Sequence, residues 1–315
     1  MKRWLSLLLI SILWLTACTS ASPTPEARLT VVATTSIVTD VVRQIGGEHV
    51  QVISLLPVGA DPHTFEPRPQ DLTLVANAQQ IFVNGAGLEA HLLPLLESAG
   101  AMEKVIEVSE GIPLLPMEEV IEHHHEEEEE GAEDHHHHHH LGGDPHTWTD
   151  PNNVLLWTEN IASALAAADP AHASTYRQNA ATYQDQLREL DGWIREQVAQ
   201  VPAENRLLVL DHAVLGYFAE EYGFRQLGAI LPSFSTEAAP SAQELADLVE
   251  RIRSLGVKAI FISETAHIPL ASRVAEESGV KLVMIYHDLS PADGPAPDYL
   301  SYMRYNVRTI VEALR

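Results

Sequence analysis

The 315-residue sequence predicts an α/β protein: two Rossmann-like lobes with mostly parallel sheets, joined by one long helix. Short apolar runs alternate with stretches of helical period, the pattern of parallel strands covered on both faces by helices. That alternation occurs in two separate halves of the chain, enough sequence for a core in each. Between the halves a helical pattern runs from Asp169-Pro170 to about Ala199, roughly 45 Å at about 1.5 Å per residue.

Taken in order, Leu29–Ala33 and His49–Leu56 read as strands, separated by a helix over Ile37–Ile45 that stops at Gly46-Gly47. Pro69–Asn77 is a helix with proline at its start, Ile81–Val83 a strand, Glu89–Ser98 a helix and Val105–Val108 a strand. Asn153–Ala167 is helical, and the long helix follows. The second half repeats the order, with strands at Leu207–Leu210, Phe224–Ile230, Ala259–Ser263 and Val280–Ile285. Its helices are Val214–Tyr222, Ser241–Leu255, Pro269–Ser278 and Tyr299–Arg315. The implied division is an N-terminal lobe over residues 29–168, a linking helix over 169–202 and a C-terminal lobe over 203–315.

Residues 1–17 read as a lipoprotein signal peptide. Lys2-Arg3 is a basic start, and Trp4–Leu15 is an apolar run too short to span a bilayer as a mature helix. The run ends in Leu15-Thr16-Ala17-Cys18, which resembles a bacterial lipobox with Cys18 as the lipidated first residue. Residues 18–28 then form a flexible tether. Cys18 is the only cysteine, so no disulfide forms within the chain. A net charge of −25 excludes a nucleic-acid partner, because phosphate binding needs a basic face. Residues 118–142 lack hydrophobic periodicity and are expected to be a disordered surface loop. Its His123, His124, His125, His135, His136, His137, His138, His139 and His140 are expected to gather metal weakly, because no geometry is fixed there.

The tetrapeptide Asp-Pro-His-Thr occurs twice, at Asp61–Thr64 and Asp144–Thr147. Pro62 and Pro145 fix φ before each histidine and limit the loop entropy lost when a ligand binds. In open parallel sheets, ligands bind beyond the carboxyl ends of the strands. His63 follows the second strand, His212 follows Leu207–Leu210, Asp288 follows Val280–Ile285, and His146 sits where the chain re-enters the fold. These four could face a common cleft and hold a divalent first-row metal. Three imidazoles lean toward Zn2+, while the carboxylate leaves Mn2+ or Fe2+ open. His287 competes with Asp288, but alternation along a continuing strand argues against it. Asp61, Asp144, Asp150 and Asp211 are the acids expected to orient the imidazoles. Affinity is expected to fall as pH drops through about 6–7 and imidazoles protonate. His49, His91, His172 and His267 have no companion motif and read as surface or packing residues.

The chain resembles the periplasmic or lipid-anchored metal receptors of ABC importers, the cluster A-I solute-binding proteins. The resemblance rests on Gly59–Pro67, Asn84–Glu89, Asp144–Asn153, His212 with Gly216-Tyr217-Phe218, Thr236–Ser241, and Asp288 ahead of Asn306. It implies a metal closed between the lobes by His63, His146, His212 and Asp288. It also implies delivery to a membrane permease by a monomeric, exported protein, lipid-anchored to the outer face of the cytoplasmic membrane or periplasmic. The acidic His-rich loop and a histidine at 212, where some manganese receptors carry glutamate, look like the zinc branch. Some zinc receptors complete the shell with water or another carboxylate instead of Asp288. His91 departs from relatives, which commonly carry tryptophan there.

A secreted metallohydrolase would need an open coordination position and a general base. The one His-Glu pair, His125-Glu126, lacks the second histidine of a His-Glu-x-x-His motif, so no enzyme is expected. For a metal-dependent adhesin, surface anchoring is the sole support.

Overall fold

The computed structural model describes residues 28–116, 143–231, 240–264 and 266–315. The signal peptide with Cys18, the tether up to residue 27 and the nine clustered histidines lie outside them. Two four-stranded sheets, parallel throughout, form the frame. The first contains β1 (Leu29–Ala33), β2 (Val50–Ser54), β3 (Gln80–Val83) and β4 (Val105–Glu107), in the order β2-β1-β3-β4. The second contains β5 (Leu207–Leu210), β6 (Arg225–Ala229), β7 (Ala259–Ile262) and β8 (Lys281–Met284), in the matching order β6-β5-β7-β8. In each, the chain leaves the first strand to one side and returns on the other. That places a crevice at the carboxyl ends of β1 and β3 and of β5 and β7.

Helices α1 (Ser36–Gly46), α2 (Pro69–Asn77) and α3 (Leu93–Ser98) belong to the first half. Helix α1 starts where Thr35 accepts from the Val38 N–H, and it ends at Gly47, whose φ of 55° suits glycine. Helix α3 is shorter than the expected Glu89–Ser98 because Ala90–Leu92 winds as a 3-10 turn ahead of Pro94. Helix α4 (Pro151–Ala168) leads through a 3-10 turn, Pro170–His172, into α5 (Ala173–Val198). At 26 residues, α5 is about 39 Å long, slightly under the sequence expectation. Tyr176, Ala180, Tyr183, Leu187, Leu190, Ile194 and Val198 form its buried stripe, spaced by threes and fours as one helical face requires. That stripe joins a core containing both β1 residues and Phe261, Tyr299 and Tyr302. The lobes therefore share one inner core around α5, whereas each outer sheet face has its own cluster.

The second half adds α6 (Gly216–Tyr222), α7 (Ala242–Leu255), α8 (Ile268–Ser278) and α9 (Tyr299–Leu314). Beyond β8 the chain leaves the sheet early. The Tyr286 N–H donates to Asn306 Oδ1 at 2.9 Å, and Asn306 Nδ2 donates back to the Tyr286 carbonyl at 2.7 Å. This exchange with α9 ends strand alternation before His287. The orientation expected for His287 from a continuing strand therefore does not hold.

Candidate metal centre

Both Asp-Pro-His-Thr copies fold the same way. Asp61 Oδ1 accepts the His63 N–H at 2.9 Å, and Asp144 Oδ1 accepts the His146 N–H at 2.9 Å. Each is a side-chain turn that aspartate two residues before a histidine can close. In the second copy the same oxygen lies 2.7 Å from His146 Nδ1, so the imidazole donates there and presents Nε2 to the cavity. His63 Nε2 stands 3.2 Å from His146 Nε2. Neighbouring tetrahedral nitrogens around one first-row ion are about 3.3 Å apart, given metal–nitrogen bonds of about 2.0–2.1 Å.

The second loop is held on several sides. Asn84 Nδ2 donates to the Pro145 carbonyl at 2.9 Å, and buried Glu89 fixes the Asn84 turn by accepting from Thr34 Oγ1, Asn84 N and Gly85 N. Ser109 and Thr147 hydroxyls lie 2.8 Å apart, and Trp157 Nε1 donates to Ser109. From the other lobe, the Tyr217 hydroxyl donates to the Asp144 carbonyl at 2.7 Å. A methyl on Gly216 would collide with the Asp144 carboxylate, so α6 can approach only because that residue is glycine. The Asn84–Glu89 and Gly216-Tyr217 motifs thus build the loop around His146.

His212 follows β5 directly, and its donor atom lies with those of His63 and His146 inside a mutual distance of 4.8 Å. His146 and His212 are buried, and His63 is half-buried. Trp148, Glu264, His287 and Asp288 also line the cavity, whose free space is about 30 Å³. That admits an ion or a water and excludes an organic ligand. Asp288 is on the cavity but outside the triad: its carboxylate accepts from Ser36 Oγ, at the start of α1, and from Gly59 N. It thereby ties the C-terminal lobe to the N-terminal one.

The four acids expected to orient imidazoles divide. Asp144 bonds the His146 ring, Asp61 accepts the His63 backbone N–H, and Asp211 Oδ1 lies 3.8 Å from His212 Nδ1 and 3.5 Å from His287 Nε2. Asp150 instead caps α4, accepting from the Asn152 N–H. Of the histidines without motifs, His49 stacks on His172 at 3.8 Å and His267 caps α8, whereas His91 lies close enough to His63 to disfavour its charged form.

Burial, with His146 and His212 beside it, pushes the His63 imidazole down to about 3. Burial and His212 hold His146 well below the usual histidine range, and burial pushes His287 down to about 3. Neutral imidazoles are the metal-binding form. Burial thus keeps His63, His146 and His287 neutral at pH 6–7, contrary to the expected protonation there. Burial lifts Asp144 to about 7, and it raises Asp288 as well.

A two-lobed α/β frame whose opposite halves converge imidazoles on an ion-sized space defines a receptor that clamps a small metal cation. The chain matches the family described as zinc-uptake complex component A, periplasmic, over residues 31–313. It belongs to this family, the cluster A-I metal-binding solute receptors of ABC importers. It is similar to the manganese-binding lipoprotein MntA of Halalkalibacterium halodurans, 34% identical over 288 residues, covering 91% of this chain and 88% of that one. It is 31% identical over 284 residues to the iron-binding protein YfeA of Yersinia pestis, covering 90% and 85%. In three dimensions it resembles the periplasmic zinc-binding protein TroA of Treponema pallidum, with TM-score 0.79, 25% identity and coverage of 91% and 99%. The protein is accordingly an exported, non-catalytic receptor that binds a divalent transition metal and passes it to a membrane permease.

Proposed function

We propose that the cargo is manganese or iron, captured by His63, His146 and His212 with Asp288 completing the shell. The observation that carries the donor set is the convergence of three imidazoles, from three distant chain segments, within 4.8 Å. The metal follows from relatives named for manganese and iron at 34% and 31% identity over most of both chains. The carboxylate on the cavity suits these harder ions. Zinc is the second reading, favoured by three nitrogen donors, by the family description and by the likeness to TroA. In this proposal the receptor works as a monomer, lipid-anchored through Cys18. Its lobes divide at the linking helix over residues 169–202, and the histidines between 123 and 140 gather ions nearby.

Nitrogen and oxygen sites bind zinc more tightly than manganese whatever their biological cargo, so affinity does not rank the candidates. Uptake does. Cells lacking this protein should lose manganese or iron accumulation and recover growth when that metal is supplied. Selective loss of zinc accumulation would overturn the first reading in favour of the second.

A further inference from the structure

Four buried polar atoms in one corner of the C-terminal lobe have no hydrogen-bond partner among the described residues: Asp211 Oδ1, His212 Nδ1, and both ring nitrogens of His287. Buried polar groups are normally paired, and a group of unpaired ones calls for an occupant. Their spacing is too wide for direct bonds, at 3.8 Å from Asp211 Oδ1 to His212 Nδ1 and 3.5 Å to His287 Nε2. The ring centroids of His212 and His287 are 4.7 Å apart. One donor atom from each of Asp211, His212 and His287 nevertheless falls within 4.8 Å of the others. His287 is not part of the His63–His146–His212 group, so in this geometry it is not a fourth corner of that shell.

We propose that Asp211, His212 and His287 form a second cation position, which shares His212 with the first. This inference rests on the metal-site reading above. Two imidazoles and one carboxylate form a donor set for divalent manganese, iron or zinc that leaves coordination positions open. The rest of Asp211 is already anchored, because Oδ2 accepts from the Ser263 N–H and hydroxyl and leaves Oδ1 facing His212 and His287. All three residues come from loops after strands of the second sheet: Asp211 and His212 follow β5, and His287 follows β8. An ion there needs nothing from the N-terminal lobe. It can therefore stay on the protein when His63 and His146 withdraw, and His212 gives it a path between the two positions. The second position is a staging post on the way to or from the permease.

The test uses crystals of the full chain loaded with zinc, located by anomalous scattering at the zinc edge. The unaltered protein should place zinc among His63, His146 and His212. In His63→Ala, and independently in His146→Gln, zinc should move to Asp211, His212 and His287, at bonds of about 2.0–2.2 Å. Adding His287→Gln to either variant should remove that peak and weaken residual binding in competition titration by about tenfold or more. Zinc at the first position in the unaltered protein, with none at the second in either variant, overturns this inference alone. So does a second-position peak that survives His287→Gln. Zinc at neither position in the unaltered protein would overturn the donor set itself.

Discussion

His146 and His287 both line one cavity, yet their surroundings are opposites. The His146 loop is bonded before any ion arrives, by Asp144 to its backbone and ring, by Asn84 to Pro145, and by Tyr217 to the Asp144 carbonyl. Among the described residues the His287 ring has no hydrogen-bond partner, and neither do the facing atoms of Asp211 and His212. The N-terminal half of the centre is organised in advance and loses little freedom on binding. The C-terminal half carries unmet polar groups that an ion would satisfy. In the proposed centre, the first half would position the ion and the second would gain most from its arrival.

The variant that should cost most is the one that removes the shared member. His212→Ala takes a donor from both triads and should lower affinity in metal-competition titration by more than the roughly 10–100-fold typical of an outer partner. Asp144→Asn tests the preorganised half. It should weaken binding by about 10–100-fold at pH 8. It should also flatten the pH dependence. Burial lifts the Asp144 carboxyl to about 7, so ionisation, and with it attraction for a cation, grows as pH rises through that value and is lost below it. In the unaltered protein, affinity should therefore fall from pH 8 to pH 6. An Asp144→Asn profile as steep as the original would assign that slope to another group. Gly216→Ala should act in the same direction from the opposite lobe, by displacing the same carboxylate.

Ser36→Ala probes the join between the halves, since its hydroxyl donates to Asp288 across the lobes. A hydrogen bond to a charged group contributes about 1.5–3 kcal/mol, so affinity should fall by about 10–150-fold at most, less if the loss goes into stability instead. Asp150→Ala should leave the comparison untouched. It should lower stability by about 1 kcal/mol through loss of the α4 cap, read by thermal unfolding, with metal affinity unchanged.

The frame was readable because period and punctuation agree. Pro69–Asn77 and Leu207–Leu210 have the bounds their proline and apolar runs imply, and α7 begins after Ser241, a capping residue. The repeated tetrapeptide exposed His63 and His146 because a local turn encodes their posture. The surroundings of His287 are less legible, because β8 stops at Met284 and Tyr286 exchanges hydrogen bonds with Asn306, twenty residues further on in α9. Asp150 was counted among the orienting acids because aspartate before Pro151 serves a helix cap as readily as a nearby histidine. The supporting roles of Asn84, Glu89 and Gly216 are long-range contacts, and residue type alone does not announce them.

In the proposed centre, both lobes grip one ion through His63, His146 and His212. Competition titration of His146→Ala against the unaltered protein tests it most directly. Tight binding should weaken by about 100-fold or more, because His63, His212 and Asp288 alone leave the shell one ligand short. Unchanged affinity in a variant with unaltered thermal unfolding would contradict it.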